Sequence, residues 1–195
     1  MTAIPKQRIT ETEYLAFERA SETKHEYYRG EVFAMAGASK NHNRIAARTI
    51  SLLDTQLRKR PCEVFPSDMR LKISATGLYT YPHISIVCGE AKFTEDKPDT
   101  LLNPILIVEL LSPSPEKDDR LDKFRHYRTL LSLREYVLIA QDSYHIEHYV
   151  RQPDSSWVLR EADDLTTTLE LPSIQCRLAL ADVYERVTFD DENLP

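Results

Sequence analysis

Residues 104–111 read Pro-Ile-Leu-Ile-Val-Glu-Leu-Leu, a run that is apolar throughout except for Glu109. Continuous apolar character over this length fits a central strand covered on both faces, because a strand with one wet face alternates apolar and polar residues. A carboxylate in such a strand cannot stay charged and alone, since desolvation costs it several kcal/mol. Glu109 needs a metal, a cationic side chain or a raised pKa. Its position in the run leaves a metal site and a buried structural ion pair equally open.

The flanking segments indicate what such a strand would pack against. Thr10 and Glu13 form a capping box ahead of a helix. The Tyr, Val and Phe content of 25–37 predicts two short strands turning at Arg29-Gly30. A second helix is expected over 41–60, where Ile45, Thr49, Leu52, Leu53, Gln56 and Leu57 recur at helical spacing and Pro61 stops it. Residues 62–73, broken near Pro66, alternate Met69, Leu71 and Ile73 with Asp68, Arg70 and Lys72. Residues 81–88 alternate Ile84, Ile86 and Cys88 with His83, Ser85 and Val87, so both stretches read as strands with one solvated face. Ser-Pro-Ser-Pro at 112–115 reads as a loop, followed by a helix with Leu121, Phe124, Arg128 and Leu131 near one stripe and acids suited to its first turn. Strands are expected at 135–140, 145–151, 157–160 and 166–171, a short helix at 181–186, and a loose acidic tail after it. The order helix, strand, strand, strand, helix, strand predicts a mixed-sheet α/β (α+β) fold with an αβββαβ core flanked by helices. No linker divides the chain, so 1–195 is expected to form a single domain.

Composition removes several function classes. No apolar run approaches the roughly 18 to 20 residues that cross a bilayer, and the first ten residues lack the layout of a secretory signal. A cytoplasmic protein with no membrane partner is the default expectation. Cys62, Cys88 and Cys176 form no CxxC pair, so neither a zinc ribbon nor a disulfide framework is supported, and all three read as core or near-core residues. The sequence contains no GxGxxG, GxxxxGK[ST] or GxSxG, which disfavours dinucleotide, P-loop and serine-hydrolase chemistry. A net charge of −6 argues against a non-specific nucleic-acid coat protein. Between Lys40 and Lys72, however, eight Lys/Arg face three acids, a pattern that reads first as a solvated helix face.

Other polar residues qualify as partners for Glu109. Tyr81-Pro82-His83 opens the neighbouring strand. Lys123 lies where its side chain could reach back to the strand ends, although Asp119 at i−4 would also satisfy it as an exposed pair. His42 sits at a helix start, where a structural or exposed role is the commoner one. His145 and His148 stand three apart in a strand and should point to opposite faces. His25 and His126 carry no signal.

The segments KHEYYRGEVFAMAGAS, HNRI, SDMR, YPHISIVCGE, NPILIVELLSPS and DRLDKFRHYR resemble the Uma2-type endonucleases, a family common in cyanobacteria. That family is assigned to the PD-(D/E)XK nuclease superfamily, so the resemblance implies a restriction-endonuclease-like fold and metal-dependent cleavage of DNA. In the superfamily an Asp after Pro and an acid one strand later hold Mg²⁺, and a Lys two residues beyond assists. Carried over, Glu109 takes the place of the second acid. Leu111 stands where the Lys would be, which moves that role to Lys123. Where the family reads Tyr-Pro-Asp, this chain has His83, and imidazole suits Mn²⁺, Zn²⁺ or Fe²⁺ better than Mg²⁺.

Three readings of that departure are open. The site is degenerate and the fold serves as a nucleic-acid or protein binding module; or it works with a softer metal such as Mn²⁺; or it recruits another acid, Asp68 or Glu31. A homodimer would suit cleavage of both strands of a duplex, but no residue in the sequence marks its interface.

Overall fold

The computed structural model describes residues 8–95, 97–111 and 117–189, with backbone only at 117–121. The elements are α1 (Glu11–Ala20), β1 (His25–Tyr28), β2 (Glu31–Ala34), α2 (Lys40–Leu57), β3 (Cys62–Pro66), β4 (Arg70–Ile73), β5 (Leu78–Thr80), β6 (Ile84–Cys88), β7 (Thr100–Leu101), β8 (Leu106–Leu111), α3 (Lys117–Tyr127), β9 (Glu135–Ala140), β10 (Ile146–Arg151), β11 (Trp157–Ala162), β12 (Thr168–Leu171), β13 (Cys176–Ala179) and α4 (Leu180–Val183). A six-stranded sheet runs β11-β10-β9-β8-β6-β3, a five-stranded sheet runs β2-β1-β5-β4-β7, and β12 pairs with β13. In the larger sheet β8 is antiparallel to β6 and parallel to β9. The expected αβββαβ order is therefore α2, β3, β6, β8, α3, β9.

The elements follow from local chemistry. The Thr10–Glu13 capping box forms as the sequence predicts. Arg29 and Gly30 both have positive φ (49° and 90°), the geometry of a tight two-residue hairpin loop. A Cβ on Gly30 would come within 2.7 Å of the Arg8 side chain, so the turn requires glycine there. Ser39 caps α2 by accepting from the His42 amide at 3.1 Å, and Ile45, Thr49, Leu53 and Leu57 are its buried stripe.

The central strands are wet on neither face. Leu106, Val108 and Leu110 of β8 join an apolar cluster with α2, α4 and the β12–β13 hairpin, including Ile45, Leu53, Val137 and Leu178. Ile107 of β8 faces a second cluster, with Leu71 and Ile73 of the smaller sheet, Tyr127 of α3, and Tyr136 and Leu138 of β9. Each fully buried aliphatic contributes about 1.5–3 kcal/mol, so this double cover holds β8 rigidly. A third, small cluster of Tyr14, Tyr27 and Tyr79 fixes α1 against the smaller sheet.

Several expectations are corrected. Residues 62–73 split between two sheets, and Arg70 is not solvated: it is buried, donating to Thr100 Oγ1 (3.0 Å) and the Tyr81 hydroxyl (3.1 Å) and pairing with Asp99 (3.0 Å). Ser85 and Val87 are also buried, because the second sheet covers the face of β6 that alternation assigned to water. Leu131 is 84% exposed and lies beyond α3. Cys176 is buried and free as expected, whereas Cys62 and Cys88 are joined in a disulfide. They lie directly opposite on β3 and β6, a proximity that a separation of 26 residues hides. The basic stretch makes no single open face, since Arg48 pairs with Glu185, Arg58 with Asp54 and Lys72 with Glu11. Among the described residues, no helix is long and apolar enough to cross a membrane. The Ser-Pro-Ser-Pro segment and most of the acidic tail lie outside the described residues, as do the first-turn side chains of α3.

Candidate metal centre

Glu109 sits mid-strand on the face of β8 that looks towards α3, and it is 4% exposed. The antiparallel register of β6 and β8, extended by one residue, brings His83 directly opposite it. One carboxylate oxygen, Oε2, meets His83 Nδ1 in a short hydrogen bond and accepts the His83 amide at 3.3 Å. The other, Oε1, accepts the Tyr127 hydroxyl at 2.6 Å. Lys123, one helical turn before Tyr127, holds its ammonium 3.9 Å from Oε1 and 3.0 Å from Glu26 Oε1. Glu26 is itself fixed by the Thr80 hydroxyl at 2.5 Å.

The surroundings of Glu109 favour its ionised form. Burial pushes its pKa up, but the Lys123 ammonium, His83 and the hydrogen bonds from His83 and Tyr127 outweigh this and bring it down to about 2. Of the options open from the sequence, a raised pKa is the one this excludes. A carboxylate only accepts, so the proton it shares with His83 belongs to Nδ1. The Leu110 amide also approaches that nitrogen (3.2 Å), but the charge of the carboxylate decides where the proton sits.

The outward nitrogen of His83 then meets His42. The two Nε2 atoms are 2.7 Å apart, with ring centroids 4.6 Å apart. Burial, with a smaller contribution from His83, lowers the His42 pKa to about 4, so it is a neutral ligand-type imidazole. Its Nδ1 is buried without a hydrogen-bond partner among the described residues.

The fold thus gathers Glu109, His83 and Lys123. Asp68 lies elsewhere, in the turn before β4 with its side chain 87% exposed and paired to Lys24 at 3.0 Å. Glu31 stands on β2 opposite Tyr28, beside the hairpin turn. Two residues gained weight only from the structure. Glu26 had its signal in the β1 pattern, where Glu26 and Tyr28 share a face. His42 had only the HNRI segment, because contact between a helix start and a strand start 41 residues on leaves no spacing to read.

A second group of metal-ligating side chains lies on the same sheet face. Glu109 is level with Leu138, Leu138 with Glu147, and Glu147 with Glu161. His145 Nε2 is 3.5 Å from Glu147 Oε1 and 3.8 Å from Glu161 Oε1, and its Nδ1 is 2.5 Å from Asp163 Oδ1. Two strand spacings, about 10 Å, separate this group from Glu109. His148 turns to the opposite face, as the sequence predicts, and binds Glu135 at 2.5 Å.

A mixed sheet carrying an acid on its central strand, with a lysine from the following helix reaching back to it, defines a restriction-endonuclease-like α+β protein. A solved structure described as a putative nuclease belonging to DUF820, from Anabaena variabilis, superposes with a TM-score of 0.75 over 90% of this chain and 97% of its own, at 19% identity. The Uma2 family model, described as a putative restriction endonuclease, matches residues 12–181. The chain belongs to the Uma2 family. Two relatives come from Synechocystis sp.: sll1609, 41% identical over 78% of this chain and 86% of its own, and slr1290, 35% identical over 95% and 96%.

Proposed function

We propose that this protein is an endonuclease that hydrolyses phosphodiester bonds of DNA with a divalent cation, Mg²⁺ or Mn²⁺, at the Glu109–His83 pair. The observation that carries the reading is the ionised, fully buried Glu109 with Lys123 beside it and a part-exposed imidazole in front of it. The donor chemistry fits a divalent cation: negative charge sits behind, and the Nε2 of His83 faces outward. A bound cation supplies a lowered pKa for the attacking water and charge stabilisation at the phosphoryl oxygens.

The chain's own residues do the rest. Glu109 fixes the ring of His83 and its tautomer, as a carboxylate behind a ligating histidine does. Tyr127 keeps Glu109 Oε1 in place. Lys123, tethered by Glu26, holds positive charge at the level of the strand ends, where a phosphate approaching the pair would meet it. The loss of the family's Asp at His83 favours a second reading, a nuclease fold kept as a binding module.

Plasmid nicking by the wild type, Glu109→Gln and His83→Asp, each in Mg²⁺ and in Mn²⁺, separates the two. The enzyme reading expects the wild type to nick in at least one metal and Glu109→Gln to lose at least about 100-fold, roughly 2.7 kcal/mol of barrier. Cleavage by His83→Asp alone would identify a decayed nuclease whose native form binds without cutting.

A further inference from the structure

We propose that the cation is held by two imidazole nitrogens, His42 Nε2 and His83 Nε2, with Glu109 behind His83 rather than in contact with the metal, and that the site selects a borderline transition ion (Mn²⁺, Co²⁺ or Zn²⁺) over Mg²⁺. This rests on the metal-dependent reading above and identifies the atoms and the ion class.

The argument starts from which donors are free. Both oxygens of Glu109 are engaged, one by the Tyr127 hydroxyl and the other by the ring and amide of His83, and the residue is 4% exposed. With the Nδ1 proton turned towards Glu109, Nε2 is the nitrogen that His83 can offer to a cation. His42 Nε2 is hydrogen-bonded to that nitrogen at 2.7 Å, and a bound cation would take the place of the proton between the two nitrogens. Two nitrogens bonded to one ion at about 2.0–2.1 Å and near a right angle stand roughly 3 Å apart. At 2.7 Å the pair is a few tenths of an ångström inside that separation, so a small outward movement of the two rings would seat an ion.

The elements that carry the two rings are fixed. His42 is in the first turn of α2, whose N-terminus is capped by Ser39 and whose buried stripe anchors it to the six-stranded sheet. His83 directly precedes β6. The carboxylate behind the ring orients it, the usual support for a ligating histidine. Such a nitrogen donor set disfavours Mg²⁺, which prefers oxygen ligands and retains water.

Calorimetric titration of the full chain with MgCl₂, MnCl₂, CoCl₂ and ZnCl₂ tests this without cleavage as the readout. The wild type, His42→Gln, His83→Asp and His145→Gln are compared, and visible absorption of the Co²⁺ form reports nitrogen ligation. His42 is only half-buried, so His42→Gln should fold, and a thermal melt checks it; the wild-type metal series stands without any variant. The expected result is binding of the transition ions at least tenfold tighter than Mg²⁺, a loss of tenfold or more in His42→Gln, no loss in His145→Gln, and a shift towards Mg²⁺ in His83→Asp. Equal affinity for Mg²⁺ in the wild type, unchanged binding by His42→Gln, or a loss that follows His145 would each overturn the proposal. Failure of the nuclease reading looks different: the wild type would bind Co²⁺ through His42 and still cut nothing. Conversely, Mg²⁺-dependent nicking untouched in His42→Gln would keep the nuclease and remove this site.

Discussion

Two Glu–His pairs on opposite faces of the central sheet differ in their environments. Glu109 with His83 faces α3; Glu135 with His148 faces the cluster built on α2 and the β12–β13 hairpin. Glu135 meets an imidazole on the adjacent strand β10, and Glu109 one that directly precedes β6. Glu135 and His148 are 0% and 1% exposed, and the remaining Glu135 oxygen accepts the Ser173 amide at 2.5 Å. His83 retains 21% exposure, Lys123 stands beside Glu109 at 20%, and a second imidazole meets the first from outside. The sealed pair can only stabilise or strain the fold. The other has positive charge beside it and a nitrogen that solvent can reach. A buried carboxylate on a strand is thus a poor indicator of a site unless access and nearby cationic charge come with it.

The strongest way to break this contrast is to truncate both carboxylates and compare urea melts. Glu135→Ala leaves His148 and the Ser173 amide without their acceptor in a closed core, and the expected loss is about 3–5 kcal/mol. That is a large part of the roughly 5–15 kcal/mol that holds a domain together. Glu109→Ala should cost less, because Lys123 keeps Glu26 and His83 can turn to water. Equal losses would make Glu109 a structural carboxylate, and the contrast would collapse.

Acid titration sharpens it. Glu109 falls from 4.5 to about 2 on folding, so its contribution is present above pH 4.5 and is lost as pH drops towards 2. In full it amounts to about 3 kcal/mol. His42 behaves as a group held neutral: its pKa falls from 6.5 to about 4, so protons favour the unfolded chain and stability declines as pH drops from 6.5 towards 4. Stability–pH curves should show both windows in the wild type. Glu109→Gln should shrink the lower, leaving the share of Asp99, whose pKa also falls to about 2, and His42→Gln should shrink the upper, leaving that of His126, whose pKa is also lowered; a curve unchanged in Glu109→Gln would mean that its carboxyl is not held ionised by its neighbours.

The parts of this arrangement visible in the sequence were those encoded locally. The apolar run marked β8 and its odd acid, the capping box marked α1, and Arg29-Gly30 marked a hairpin. Lys123 and His83 were candidates from their places in the chain, the family resemblance gave them roles, and the fold brings both to Glu109. What stayed hidden depends on which strands become neighbours. Arg70 and Ser85 looked solvated because alternation assumes one wet face, and the second sheet removes it. Cys62 and Cys88 pair only once β3 and β6 align. His42 reads as an ordinary helix-start residue until α2 is laid against the start of β6.

A smaller effect tests how finely Glu109 is held. Tyr127 is fully buried, and burial together with the charge of Glu109 keeps its phenol protonated far above the usual range, so it acts as a fixed donor to Oε1. Tyr127→Phe retains the ring packing against Tyr136, whose centroid is 5.3 Å away, and removes only the hydroxyl. A hydrogen bond to a charged group is worth about 1.5–3 kcal/mol, and Lys123 compensates in part, so a stability loss near 1.5 kcal/mol is expected. With that donor gone the Glu109 pKa should rise, and the lower window of the stability–pH curve should move up with it. The corresponding change on the sealed face, Ser173→Pro, removes the amide that serves Glu135 and should leave the Glu109 window in place. If Tyr127→Phe melts like the wild type and the window does not move, Lys123 and His83 alone hold Glu109, and the helix contributes its lysine but not its tyrosine.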